Sequence, residues 1–351
     1  MEEAGARWID TLPDLARERL PAPVWHYFAT GSGDGTTAAE ACEAWRRVRL
    51  APHALRDVTA VDTSVRLLGA PFAQPFGIAP TSLQRAAAPE GERAMARAAT
   101  LAGVPHVVSS NAGFPLAEVG AIGPWWLQAY LTADRADTLP VLRAAADAGA
   151  AAVVLTADTP VVGSKRGVDD AAWAGVDLSW HRGNFAGHVR NAPGVWARDV
   201  TEADVAWLAE TTGLPVVVKG VLRPDDARRC VAAGAAAVWV SNHGGRQLDR
   251  AVASATALPA VADEVGGEVE VYVDGGVRSG LDVLTALALG ADAVFLGRTP
   301  LYALAAAGEG GVVRLLHELA GELLEALRLA GCRDLRETRD LLPAVPDSPA
   351  G

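Results

Sequence analysis

Residues 241–249 read SNHGGRQLD, which places an imidazole (His243) and a guanidinium (Arg246) three positions apart with two glycines between them. The run before them is apolar, so His243 emerges from a buried strand and Arg246 follows it to one side of whatever binds there. An imidazole titrates near neutrality and can act as a base. A guanidinium can grip a carboxylate through two parallel hydrogen bonds. Asp158 ends a second apolar run, AAVVLTAD, and is suited to orienting or charge-stabilising that imidazole. A helix cap beside Thr159 and Pro160 is the competing reading of Asp158.

Two further segments, DGGVRSG and LGRTP, carry Asp274, Gly275, Gly276 and Arg278, then Gly297 and Arg298. Glycines there let backbone N–H groups approach an anion, and the arginines can pair with it. Ordinary glycine turns flanked by surface arginines are the plainer account. Lys219 closes the apolar run PVVVK. A buried amine must find a partner or shift its pKa, which suits a charge beside a cofactor or a Schiff base. A snorkelling lysine with its head in water fits the run equally well.

Eight short apolar runs space these groups along the chain: 76–81, 104–110, 125–130, 151–158, 215–220, 236–242, 269–275 and 293–298. Each has the length of a strand buried on both faces. Helical patterns lie between them, and several close on a glycine (Gly103, Gly149, Gly234, Gly290), as helix ends do. Strands alternating with helices in this way predict an α/β fold, a (β/α)8 TIM barrel. The runner-up, a doubly wound open sheet, lacks a GxGxxG after its first strand. All eight runs end in polar residues, and in such a barrel those ends converge on one face.

Residues 1–74 read as an N-terminal helical extension packed on the barrel, 75–342 as the barrel and 343–351 as a flexible tail. The connection 159–200, after the fourth strand, is long and carries Trp173, Trp180 and Trp196. Connections of that length commonly cover or bind a ligand. These tryptophans either cover a bulky substrate or dock the loop.

The composition narrows the function further. Against 31 Lys and Arg stand 42 Asp and Glu in 351 residues, a formal net charge of −11, which argues against a general nucleic-acid binder. Three widely spaced cysteines offer neither a disulfide framework nor a thiolate metal site, and a reducing compartment follows. The first residues are charged and amphipathic, unlike a signal peptide, and no apolar stretch reaches bilayer length. A cytoplasmic enzyme with no membrane span and no metal is expected.

With these motifs in place, the chain resembles the FMN-dependent α-hydroxy-acid oxidase and dehydrogenase family, the group of glycolate oxidase, lactate oxidase, mandelate dehydrogenase and hydroxymandelate oxidase. SNHGGRQLD carries most of the resemblance, and PTSLQ, LQAY, TADTP, VVVKGV, VDGGVRSG and FLGR follow the family pattern in order and spacing. The resemblance implies an FMN cofactor and oxidation of an α-hydroxy acid to the α-keto acid. His243 would be the active-site base while electrons pass to flavin N5 and then to oxygen or another acceptor. Asp158 would stabilise the imidazolium, Arg246 and Tyr27 would hold the substrate carboxylate, and Tyr130 would bond the hydroxyl. Lys219 would lie beside flavin N1 and O2. Pro80, Thr81, Ser82, Ser109, Gln128, Thr156 and Ser241 would line the isoalloxazine and ribityl. Asp274, Gly275, Gly276, Arg278, Gly297 and Arg298 would take the ribityl chain and phosphate. The family also implies a homo-oligomer, a tetramer or octamer.

Three positions depart from that pattern. Lys165 stands where a second carboxylate-binding arginine is common, Asn111 where an aromatic is common, and Ser82 where alanine or glycine is common. Lysine lacks the bidentate fork, so a specialised or bulkier substrate is expected, with Lys165 and Asn111 at the substrate. Two alternatives stand beside this reading. One is a barrel lyase or isomerase with a phosphate-bearing ligand, which would use Lys219 but leave His243, Arg246 and Gln128 without a role. The other is a flavin-binding protein with altered catalysis.

Overall fold

The computed structural model describes residues 7–166, 177, 180–190 and 195–343. The tail 344–351 and Trp173 lie outside the described residues. Each of the eight apolar runs becomes one parallel strand; seven are shorter than the run that contains them, and β7 runs one residue past its own. In chain order, after an antiparallel hairpin of β1 (Val65–Leu67) and β2 (Ala70–Phe72), they are β3 (Phe76–Ile78), β4 (Val107–Ser109), β5 (Trp126–Ala129), β6 (Val153–Thr156), β7 (Val216–Val221), β8 (Ala237–Val240), β9 (Glu270–Asp274) and β10 (Ala293–Leu296).

The strands pair in the order β3-β10-β9-β8-β7-β6-β5-β4. A parallel bridge from Ile78 to His106 brings the two ends together, and the Ile78 N–H donates to the Pro105 carbonyl at 2.9 Å. This ring is the expected α/β barrel, and it leaves the open-sheet alternative without support. Apolar side chains are needed on both faces of such strands, since one face meets the barrel interior and the other the surrounding helices. Helices between strands, among them Gly91–Ala102, Leu139–Asp147, Pro224–Ala232 and Gly280–Ala288, bury an apolar stripe against the sheet.

Below the site the barrel interior is filled with aromatic rings. Trp239 and Phe295 have ring centroids 4.1 Å apart, and Trp126 stacks on Tyr272 at 5.7 Å. Leu67 and Phe72 of the β1–β2 hairpin join this cluster and close its floor. Glu270 ties the hairpin down, accepting from the Leu68 N–H at 2.8 Å and from the Tyr272 hydroxyl at 2.5 Å. The helical reading of 1–74 does not include this hairpin, because three-residue strands carry too little periodicity to register. The helices of this stretch are Trp8–Arg19, Ala22–Ala29 and Thr36–Arg46. Asp249 anchors the third by accepting from the N–H groups of Asp34 and Thr37, both at 2.9 Å. The SNHGGRQLD segment is thereby fastened to the N-terminal extension that covers one side of the barrel mouth.

Candidate active site

The carboxyl ends of the strands open into a cavity of about 620 Å³. Of the residues singled out in the sequence, Tyr27, Pro80, Thr81, Ser82, Ser109, Asn111, Gln128, Tyr130, Thr156, Lys165, Lys219, His243, Arg246, Asp274, Gly275, Gly276, Arg278, Gly297 and Arg298 all line it. Asp158 and Ser241 do not. They stand directly behind the lining and hold residues that do.

His243 leaves β8 with a positive φ of 58° and is 24% exposed on its side chain. Its Nδ1 lies 2.9 Å from Asp158 Oδ1, which leaves Nε2 for the cavity. Burial alone would raise the Asp158 carboxyl, but the charges of His243 and Lys219 outweigh it and hold the group at about 2. A permanent carboxylate on Nδ1 fixes the tautomer with Nε2 free to accept a proton. This pairing replaces the helix-cap reading of Asp158. The two strand ends are not neighbours, since β7 runs between β6 and β8. Asp158 crosses there because Gly220 has no side chain. A Cβ at Gly220 would lie 2.6 Å from Asp158 Cβ, and its φ of +107° belongs to glycine. The β7–β8 register shifts at the same point.

Lys219 is 3% exposed, which removes the snorkelling reading. Its Nζ donates to Ser241 Oγ at 2.7 Å and pairs with Asp274 Oδ2 at 3.1 Å, while Ser241 Oγ donates to Asp274 Oδ1 at 2.7 Å. The amine is a held, charge-compensated cation in the wall of the cavity. That arrangement suits a fixed charge better than a Schiff-base nucleophile, which must be neutral to attack. Next to it, Ser109 Oγ donates to Gln128 Oε1 at 3.0 Å and Gln128 Nε2 donates to Thr156 Oγ1 at 2.9 Å. This chain across β4, β5 and β6 fixes the direction of each polar group.

Arg246 spends one nitrogen on the end of helix Ala22–Ala29. Its Nη1 donates to the carbonyls of Tyr27 (2.6 Å), Thr30 (3.1 Å) and Phe28 (3.3 Å). Its guanidinium carbon sits 4.7 Å from the Tyr27 ring centroid. Nε and Nη2 have no partner among the described residues, so one edge of the fork stays available to an anion. Tyr130 is buried, and burial pushes its hydroxyl well above the usual phenol range, with the Asp158 charge adding to the effect. It remains a proton donor. Lys165 is lowered to about 8 by burial, then by the neighbouring charges of Arg246 and Arg298. The adjacent Arg166 points outward and pairs with Asp34 at 2.6 Å.

At the far end Arg298 begins the helix that follows β10. Burial, assisted by Arg246, lowers it to about 10. Its Nε donates to the Phe28 carbonyl at 3.1 Å, and its buried Nη2 has no partner among the described residues. A buried cation short of a counter-charge, at a helix N-terminus, is the local signature of an anion site. Gly276 lies in the same wall, and a Cβ there would meet the Ala41 carbonyl oxygen at 2.3 Å, so the backbone runs bare past the cavity. A cavity of this volume with a fixed cation midway and an anion site at one end fits a flavin mononucleotide.

Several lining residues were not singled out for the site in the sequence: Arg182, His181, Gln247, Thr159 and Val162. The segment 182–184 docks along the loop after β4. The N–H groups of Arg182 and Gly183 donate to the carbonyls of Asn111 (3.1 Å) and Ala112 (2.9 Å). Asn184 Nδ2 donates to the Phe114 carbonyl at 2.9 Å while Oδ1 accepts from the Leu116 N–H at 3.1 Å. The tryptophans of the long connection divide their labour. Trp196 covers the cavity and lies 5.4 Å from the Tyr130 ring, whereas Trp180 packs over Arg85 at 5.9 Å and docks the loop. Trp196, named in the sequence as an aromatic of the long connection, lines the cavity. Arg182 and Asn184 carry no local signal.

Comparison with known proteins gives this geometry its context. A family model described as FMN-dependent dehydrogenase matches residues 16–343. The chain is 40% identical over 351 residues to the glycolate oxidase of Spinacia oleracea, covering 96% of this chain and 95% of that protein. It is 42% identical over 350 residues to the 4-hydroxymandelate oxidase of Amycolatopsis orientalis, covering 94% and 97%. A solved structure of mandelate oxidase with (S)-4-hydroxymandelic acid superposes with a TM-score of 0.90 at 40% identity, covering 95% of this chain and 97% of that one. The chain belongs to the FMN-dependent α-hydroxy-acid oxidase family, and its cofactor is FMN.

Proposed function

We infer that this enzyme oxidises an α-hydroxy acid to the α-keto acid, with His243 as the base. The observation that carries the reading is the His243–Asp158 pair facing a cavity that also holds Lys219, Arg246 and a buried anion site. Bound in that cavity, FMN supplies the two-electron acceptor for the oxidation of the substrate's α-carbon. Arg278, Arg298, Gly276 and Gly297 would hold its phosphate and ribityl chain. Pro80, Thr81, Ser82, Ser109, Gln128 and Thr156 would flank the ring, with Lys219 supplying positive charge beside it.

The chain's own residues then set the chemistry at the substrate. Arg246, through its free edge, binds the carboxylate, with Tyr27 and the point charge of Lys165 beside it. Tyr130, held protonated, donates to the hydroxyl oxygen. His243 Nε2 takes a proton from the substrate, and the Asp158 carboxylate on Nδ1 stabilises the imidazolium that results. Trp196, Phe28 and Val162 exclude water from the cavity mouth.

A larger, aromatic substrate is supported by the substitution of Asn111 for an aromatic residue and by the Trp196–Tyr130 wall. The likeness to mandelate oxidase points the same way. Oxygen or another acceptor would take the electrons onward. A cytoplasmic homo-oligomer fits the family resemblance and the exposed Leu248 and Val252 beside the site. No helix among the described residues is long and apolar enough to cross a membrane.

The test is anaerobic bleaching of the FMN-loaded protein by glycolate, lactate and mandelate. Bleaching by mandelate at the lowest concentration supports the reading. A clear preference for glycolate would remove the bulky-substrate part, and no bleaching by any hydroxy acid would remove the oxidation itself. His243→Ala should keep its yellow colour and lose bleaching about 100-fold or more.

A further inference from the structure

Thr159 and Gln247 line the cavity, and neither has a part in the chemistry described so far. Thr159 Oγ1 donates to Asp158 Oδ1 at 3.0 Å and accepts from Gln247 Nε2. Burial raises the Tyr130 phenol, and a hydrogen bond with the same Thr159 hydroxyl opposes that rise. The directions follow from the groups themselves. The Gly163 N–H can only donate, so the amide oxygen of Gln247 faces it, at 2.9 Å. That turns the Gln247 NH2 onto Thr159, and an NH2 can only donate. The Thr159 oxygen is therefore an acceptor toward Gln247. Its single proton goes to Asp158, the neighbour whose carboxylate can only accept.

The Asp158 carboxylate gives this clasp a task. Its Oδ2 is buried with no hydrogen-bond partner among the described residues. Both of its bonds fall on Oδ1, one from Thr159 and one from His243 Nδ1 at 2.9 Å. Held by His243 alone, the carboxylate could turn about its Cβ–Cγ bond and carry the imidazole with it. The bond from Thr159 removes that freedom and leaves Oδ1 as the oxygen facing Nδ1. The clasp itself has little room to move. A Cβ at Gly163 would lie 2.6 Å from the Arg246 carbonyl oxygen, so the loop after β6 rests directly on residues 246 and 247. The Gln247 carbonyl is tied in turn to the N-terminal extension, accepting from Ser32 Oγ.

We propose that Thr159 is a positioning residue for the base, its hydroxyl fixing the rotation of the Asp158 carboxylate and so the aim of His243 Nε2. It acts through Asp158 and not on the substrate. A misaimed base costs rate at a bound substrate and leaves binding alone. This rests on the oxidation proposed above, with His243 as base, and adds the group that orients its partner.

The test follows anaerobic flavin reduction of the FMN-loaded protein, using whichever of glycolate, lactate or mandelate bleaches the wild type at the lowest concentration. Thr159→Val keeps the volume and removes the hydroxyl. It should slow reduction at saturating acid about 10-fold, with half-saturating concentration and FMN retention unchanged. Thr159→Ser, which keeps the hydroxyl, should stay within about threefold of wild type. In an Asp158→Ala enzyme, adding Thr159→Val should cost about twofold or less, because the carboxylate it orients is gone. Wild-type speed in Thr159→Val overturns the proposal, and so does a Thr159→Ser enzyme as slow as Thr159→Val. A further 10-fold loss in the Asp158→Ala background overturns it by moving the role of the hydroxyl to Tyr130. A change confined to the half-saturating concentration, or loss of FMN from Thr159→Val, overturns it by assigning Thr159 to the substrate or to the cavity wall. Each of these outcomes leaves the oxidation standing. No bleaching of wild type by any hydroxy acid overturns both.

Discussion

Asp158 reaches His243 through the gap left by Gly220: its Oδ1 lies 2.9 Å from His243 Nδ1, although strand β7 separates their parent strands. The glycine takes a φ of +107° and offers no Cβ to a carboxylate side chain that would collide with it at 2.6 Å. The His243–Asp158 contact therefore depends on an unsubstituted backbone position in a strand that contributes neither member.

Gly220→Ala is expected to displace Asp158 and slow anaerobic flavin reduction about 10- to 100-fold with bound FMN retained. Asp158→Asn should reproduce the loss with the backbone undisturbed. Stopped-flow reduction checks both, and a Gly220→Ala enzyme at wild-type speed would show that the gap is not needed.

Lys165, proposed to lie beside the substrate carboxylate, is charged only below about pH 8, because burial and the charges of Arg246 and Arg298 lower its pKa. Its cation is present at neutral pH and is lost as pH rises through that value. The kcat/KM for a hydroxy acid should therefore decline above about pH 8, through KM more than kcat. Lys165→Arg, which stays charged, should move the decline to higher pH. An alkaline limb unchanged in Lys165→Arg would assign it to another group.

Arg298 buries a cation whose Nη2 has no partner among the described residues. Arg298→Leu should weaken FMN binding about 10- to 100-fold, the scale of one lost charge-assisted hydrogen bond. The same substitution should raise the melting temperature of the FMN-free protein, since an uncompensated buried charge is removed. Fluorescence titration with FMN and thermal melts of the stripped protein read the two effects separately.

His106, at the seam where the barrel closes, is buried with neither ring nitrogen hydrogen-bonded among the described residues, and desolvation lowers it to about 4. Its folded pKa lies below the unfolded value of about 6.5, so the unfolded chain binds the extra proton between the two. Stability is complete above about pH 6.5, falls by a few kcal/mol between there and about pH 4, and levels off below. His106→Leu should flatten this acid limb in urea melts at pH 4 to 7. An unchanged limb would place the acid sensitivity elsewhere.

Much of this was legible in the residues. The eight runs, the polar strand ends and the SNHGGRQLD segment are local signals, because a doubly buried strand must be apolar throughout and its exit into a site must not be. Asp158 was readable only as one of two things, a helix cap or an orienter of His243, since which it is depends on a contact 85 positions away. Lys219 was equally open, and Ser241 and Asp274 close the question by burying and pairing it. Arg182 and Asn184 were invisible, because their role exists only when the long connection folds back onto the loop after β4.

By itself the sequence determined the barrel, its polar mouth and the chemical types gathered there, because strand burial and residue type are properties of short segments. The tertiary structure alone decided which groups touch. It set Asp158 on His243 past Gly220, divided Trp196 from Trp180, and buried Lys219 against Ser241 and Asp274. Those outcomes depend on distances between residues far apart in the chain, which closure of the ring and docking of its loops create.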